Sequence, residues 1–160
     1  MTSKIELTPR AQINLWLDNL DIAQTMMERI SDVYVELSWW RGSGDECGTC
    51  ACFGGHVAVE PAFKAQGIVQ YHIDGSPTML SDDGRNSSDT SPSEVSAILF
   101  GDPDMFYSRT DAEMGVTYDR ASDEDIVFDE AVRHLTDKET VLRRISTQRD
   151  KLLEQLETTA

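Results

Sequence analysis

Apolar residues recur through the first thirty positions at three- and four-residue steps. Ile13, Trp16, Leu17, Leu20, Met27 and Ile30 form one stripe, and Asp18, Asp21, Glu28 and Arg29 fall largely on the other side. That spacing predicts an amphipathic helix over about 9–33. Thr8-Pro9 supplies its start: a capping hydroxyl, then a proline whose missing N–H is harmless at the first helical position.

Further elements follow from the same pattern. The apolar stretch Val33–Trp40 reads as strand or extended chain, and Arg41-Gly-Ser-Gly44 as a turn. Thr49 is placed to cap a short helix from about Cys50 to Val59, and Pro61–Gln66 reads as a helical turn closed by Gly67. Over 74–92 the chain is Ser, Asp, Gly, Asn, Pro and Thr with little apolar beyond Met79 and Leu80, the composition of a mobile loop. Ser91-Pro-Ser-Glu94 restarts a helix that runs to Gly101, and Met105-Phe106-Tyr107 is an apolar triplet expected on the core. Ser122 is expected to cap a helix with Asp123, Glu124 and Asp125 in its first turn and Ile126, Val127, Ala131 and Leu135 on its buried face.

The last helix, about 137–157, has Thr136 and Glu139 spaced as a capping box and a stripe of Leu142, Ile145, Leu152 and Leu156. Arg149 breaks that stripe, which favours docking on a core over a free coiled coil. The reading is a single, mainly α domain with at least four helices and irregular acidic loops, any β-sheet being short.

Composition narrows this. With 160 residues, 39% hydrophobic, the chain is long enough to bury a core without disulfides. No run approaches the roughly 18 apolar residues that span a bilayer, and the first ten residues lack a secretory segment. All three cysteines lie within six positions, a poor disulfide framework, so a reducing, cytoplasmic setting is expected. The net charge is −15, and residues 102–130 carry ten acids against Arg109 and Arg120, a balance of −8. Such a field repels nucleic-acid phosphates and anionic membranes and attracts basic protein surfaces. Direct nucleic-acid or membrane binding is therefore not expected.

The densest chemistry is Cys47-Gly-Thr-Cys-Ala-Cys-Phe-Gly-Gly-His56. Three readings stand side by side. Thiolate and imidazole are zinc ligands, and Cys47, Cys52 and His56 are the candidate set, Cys50 being less suited because a helix would turn it elsewhere. A complete tetrahedron would need His72 or His134. Alternatively Cys47 and Cys52 are small buried core residues and His56 a hydrogen-bonded buried imidazole. A nucleophilic thiol with histidine assistance is the third. The cofactor expectation is accordingly none, or one structural zinc.

Cys47-Gly48-Thr49, Cys52, Gly55-His56 and the later Phe63 and Gly67 resemble the C-G-T-x-x-C-x-x-G-H signature of small proteins encoded by tailed bacteriophages and some bacteria. Ser38-Trp39-Trp40 and Ala97-Ile-Leu-Phe100 through Phe106-Tyr107 occupy places corresponding to an aromatic segment and a Leu-Phe helical region in those proteins. The signature covers about twenty residues. The resemblance implies a phage origin rather than a mechanism. Cys50 stands where the pattern has a small apolar residue, which argues against it as a required ligand.

Asp119, Asp123, Glu124, Asp125, Asp129 and Glu130 put six carboxylates in twelve residues, without the spacing of a calcium loop. They read either as a solvated face or as a surface that imitates phosphates and docks on a basic protein. Trp39 and Trp40 are adjacent, so in an extended segment they face opposite ways; core packing is the favoured role for both, and an exposed one would suit an interface. No catalytic constellation is complete. The favoured class is a non-enzymatic acidic protein that engages a basic host surface and inhibits or modulates a nucleic-acid-handling protein by mimicry. A small zinc-binding structural or virion protein is the alternative, and a thiol-dependent enzyme the third class.

Overall fold

Residues 6–37, 52–71, 75–81, 90–118 and 126–159 are described by the structure, a computed structural model. Within them the chain is mainly helical. The helices are α1 (Pro9–Arg29), α2 (Phe53–Val59), α3 (Pro61–Lys64), α4 (Pro92–Phe100), α5 (Glu130–Arg133) and α6 (Asp137–Thr158), with a 3-10 turn at Asp32–Tyr34. Two antiparallel pairs complete the described chain. β1 (Ile68–Gln70) pairs with β2 (Pro77–Met79), matching Ile68 to Met79, and β3 (Val116–Tyr118) pairs with β4 (Ile126–Phe128), matching Val116 to Phe128.

α1 and α6 lie antiparallel, and each closes the other's end. Thr8 caps α1 by accepting from Ala11 N at 3.2 Å, and Thr136 and Glu139 form the capping box of α6. Arg10, in the first turn of α1, donates to the carbonyls of Leu156 and Thr159 at the end of α6. Lys138, in the first turn of α6, donates to the carbonyls of Glu28 and Ile30 at the end of α1, the latter at 2.6 Å. A cation sits poorly at its own helix's positive end. Here each satisfies orphan carbonyls at the negative end of the neighbour. α1 ends at Arg29, four residues short of expectation, because Ile30 turns extended and Ser31 leads into the 3-10 turn. Arg149, the break in the α6 stripe, reaches Asp21 on α1 at 2.8 Å.

Between these helices lies the core. α1 buries Ile13, Leu20, Ala23, Met26 and Met27, and α6 buries Val141, Ile145 and Leu152. At its centre Phe100 meets Phe53, Phe63 and Phe106 with ring centroids 5.7, 5.8 and 6.0 Å apart. The Phe63 and Phe106 contacts are edge-to-face, the arrangement the ring quadrupole favours. Of the expected apolar triplet, Met105 and Phe106 are buried. Tyr107 is exposed and its hydroxyl meets Ser93 Oγ at 2.6 Å.

Three further expectations change. α2 begins at Phe53 with Cys52 as its cap, not at Cys50 with Thr49. The 74–92 loop contains a strand, because Pro77–Met79 pairs with Ile68–Gln70 and Leu80 N donates to Gly67 O. Residues 126–128 are strand rather than the body of a capped helix. Ile-Val-Phe is β-branched and aromatic and finds a partner in Val116–Tyr118, so helix resumes only at Glu130, with Asp129 as cap. α5 is then a single turn, with Ala131 exposed and Leu135 half-buried beyond its end.

Candidate functional site

Cys52 starts α2 in place of the usual hydroxyl or carboxylate. Its Sγ accepts from Gly55 N at 3.4 Å, and the next six residues, Phe53 to Ala58, are all buried. Cys52 itself is buried, and that burial pushes its thiol up to about 11, partly offset by hydrogen bonds from the Gly55 and Gly54 backbone. The group is a neutral thiol at neutral pH. Nucleophilic attack and metal ligation both need the thiolate, which this environment disfavours.

His56, one turn on, is also buried. Its Nε2 lies 2.7 Å from the carbonyl oxygen of Tyr34, so that nitrogen carries the proton and donates. The imidazole thereby ties α2 to the 3-10 turn across 22 residues of chain. Ligation of a metal through Nε2 would break this bond. Among the described residues no group of three His, Cys, Asp or Glu side chains is gathered to hold a metal ion. Cys47 and Cys50, like Trp39, Trp40 and His72, lie outside the described residues. His134 is on the surface, 2.9 Å from Glu130.

The acidic segment is described in part. Asp119, Asp123, Glu124 and Asp125 lie outside the described residues. Asp129 accepts from Ala131 N at 3.0 Å as the cap of α5, and Glu130 pairs with His134. Over 126–130 the expected acidic helix, the scaffold for regularly spaced charges, is replaced by strand and the start of a short turn of helix.

Two arginines tie residues 105–113, just before the acidic segment, to α6 and the turn that precedes it. Arg144 of α6 grips both carboxylate oxygens of Glu113, Nε to Oε2 at 2.6 Å and Nη2 to Oε1 at 2.7 Å. The same guanidinium donates to the carbonyls of Met105, Tyr107 and Ser108. Burial alone would push Glu113's carboxyl up. The hydrogen bonds and charge of Arg144, with those from Thr110, outweigh it and hold the carboxyl below its ordinary value. Arg109 donates through Nη2 to the Leu135 carbonyl, and its Nε lies 2.8 Å from Asp137 Oδ1 at an angle too bent for a hydrogen bond. Asp137 Oδ2 in turn accepts from Leu37 N at 3.0 Å. One signal for these clamps was available: residues 131–160 hold six bases against five acids, beside the most acidic stretch of the chain.

Several further cations among the described residues are paired within the fold. Besides these two, Arg29 pairs with Glu60, Lys138 lies 3.8 Å from Asp32, and Arg149 pairs with Asp21. No described helix is long and apolar enough to cross a membrane. No protein-family model, curated protein or solved structure matches the chain.

Proposed function

We propose that this chain is a non-enzymatic acidic binding protein that engages a basic protein surface and inhibits or modulates a nucleic-acid-handling partner by occupying its phosphate-binding cations. The observation that carries the reading is the distribution of charge. Within a net −15, residues 102–130 contribute −8. Arg109 and Arg144, two cations within or packed on the described part of that segment, are turned onto backbone carbonyls, Asp137 and Glu113. These two neutralising groups are thus held inside, while Asp104, Asp111 and Asp129 remain exposed. The resemblance of the Cys47–Gly67 segment to tailed-phage proteins supports a bacterial host as the setting.

The Cys52–His56 turn serves the fold in this account. Its buried neutral thiol and its Tyr34-bound imidazole support a structural role. The test is capture from bacterial lysate by the immobilised full chain at low and high salt. The reading expects nucleic-acid-binding proteins to be retained at low salt and released at high salt, since exposed charge pairs are screened. A retained set indifferent to salt would contradict it.

A further inference from the structure

A cavity of about 210 Å³ opens between the 110–115 turn, α5 and the first turns of α6, lined by Ala112, Glu113, Val132, Leu135, Thr140 and Arg143. Its lining is mostly apolar, from Ala112, Val132 and Leu135. The polar groups differ sharply in what they can still do. Glu113 is largely engaged: Oε1 accepts from Thr110 N, Thr110 Oγ1 and Arg144, and Oε2 accepts from Arg144 Nε. The Thr140 hydroxyl donates to the Thr136 carbonyl at 2.9 Å. Arg143 is exposed and makes no hydrogen bond or ion pair with any described residue.

We propose that this cavity binds a compact apolar monocarboxylate, with the carboxylate paired to the Arg143 guanidinium and the apolar body against Ala112, Val132 and Leu135. The cavity's size and its charged groups favour that chemistry. Size comes first: an apolar cavity of roughly 150 Å³ accepts benzene, so 210 Å³ suits a single ring or branched chain with one small substituent. Second, a guanidinium only donates, so the ligand must bring an acceptor, and a carboxylate matches its planar fork. Third, a cationic ligand would meet the Arg143 charge, unpaired among the described residues, and a Glu113 carboxylate whose own charge Arg144 already balances. The protein's overall negative field opposes an anion at long range. At physiological salt that field is screened beyond about 8 Å, whereas the Arg143 contact is not.

The probe is benzoate, with benzyl alcohol as its neutral counterpart, followed by amide chemical shifts of the full-length protein. Benzoate is expected to produce saturable shifts at residues 112, 113, 132, 135, 140 and 143, and to bind roughly fivefold more tightly than benzyl alcohol, the upper range for a partly exposed ion pair. Arg143→Gln, an exposed change that leaves the clamps intact, should bring benzoate down to the level of benzyl alcohol. Ala112→Leu, which fills the cavity, should abolish the shifts of both. Absence of saturable shifts at the cavity would overturn the proposal, as would equal affinity for the two probes in the parent, or benzoate binding unchanged in Arg143→Gln.

Discussion

Glu113 is held by Arg144 through two parallel hydrogen bonds, and the same guanidinium caps three carbonyls of the 105–108 turn. The pair is mostly shielded, with side-chain exposures of 24% and 11%, so losing either partner leaves the other poorly compensated. Arg144→Met should destabilise the fold by about 3 kcal/mol, the lower end for breaking a buried pair. Glu113→Gln, which keeps the shape and loses the charge, should cost less. Urea denaturation of both variants checks this ordering.

Acid dependence follows from the same pair. Glu113 titrates below its ordinary 4.5 in the folded protein, so the unfolded chain takes up the proton first as pH falls. Its stabilising contribution is therefore complete above pH 4.5 and is lost as pH falls through the lower folded value. Stability measured against pH should lose part of its acid slope in Glu113→Gln. An identical slope in parent and variant would remove Glu113 from the account.

Cys52 shifts in the opposite sense. Its thiol is raised from 9.0 to about 11, so the folded state keeps the proton where the unfolded chain loses it. The contribution is full below pH 9 and declines as pH rises from 9 to about 11. In the native protein at pH 8, Cys52 should resist iodoacetamide, and it should react fully in urea, as read by peptide mass spectrometry. Rapid native alkylation of Cys52 would restore the nucleophile or ligand readings.

Gly101 ends α4 at φ +72°, and a Cβ there would lie 2.7 Å from Trp16 Cε3. Trp16 cannot swing away freely, because its Nε1 donates to Ile98 O at 3.0 Å. Gly101→Ala combines left-handed strain with a ring clash, and should destabilise by roughly 2–4 kcal/mol. Thermal unfolding reads the loss. Pairing it with Trp16→Ala should recover part of the deficit from the clash alone.

Much of the helical fold was legible because it is written locally. Thr8-Pro9, Ser91 with Glu94, and Thr136 with Glu139 each announce a start through groups within four residues, and all three caps are present. Strands were harder. Ile126–Phe128 needs Val116–Tyr118, across a stretch whose dense carboxylates after a serine have the sequence pattern of a helix start. Pro77–Met79 is three residues in polar surroundings, recognisable only from its pairing with Ile68–Gln70. At the candidate site, spacing brought Cys52 and His56 onto one helix, but what each touches depends on Gly55 and on Tyr34, 22 residues earlier. The Arg144–Glu113 clamp spans 31 residues, and no local pattern encodes it.

The acidic segment acts as a set of charges in the proposed function. One charge among many contributes little to such an attraction, so a single substitution among Asp123, Glu124 and Asp125 should barely change partner binding. Reversing all three to Lys should slow association strongly, with the fold unchanged by circular dichroism. Asp129 is best left intact, because it caps α5.

The most direct measurement takes the purified partner recovered at low salt and titrates duplex DNA into its complex with this chain. Imitation of phosphate requires that the two compete for the same Lys and Arg groups. The account predicts mutually exclusive binding, with the chain released as DNA binds. A stable ternary complex of partner, DNA and this protein would contradict it.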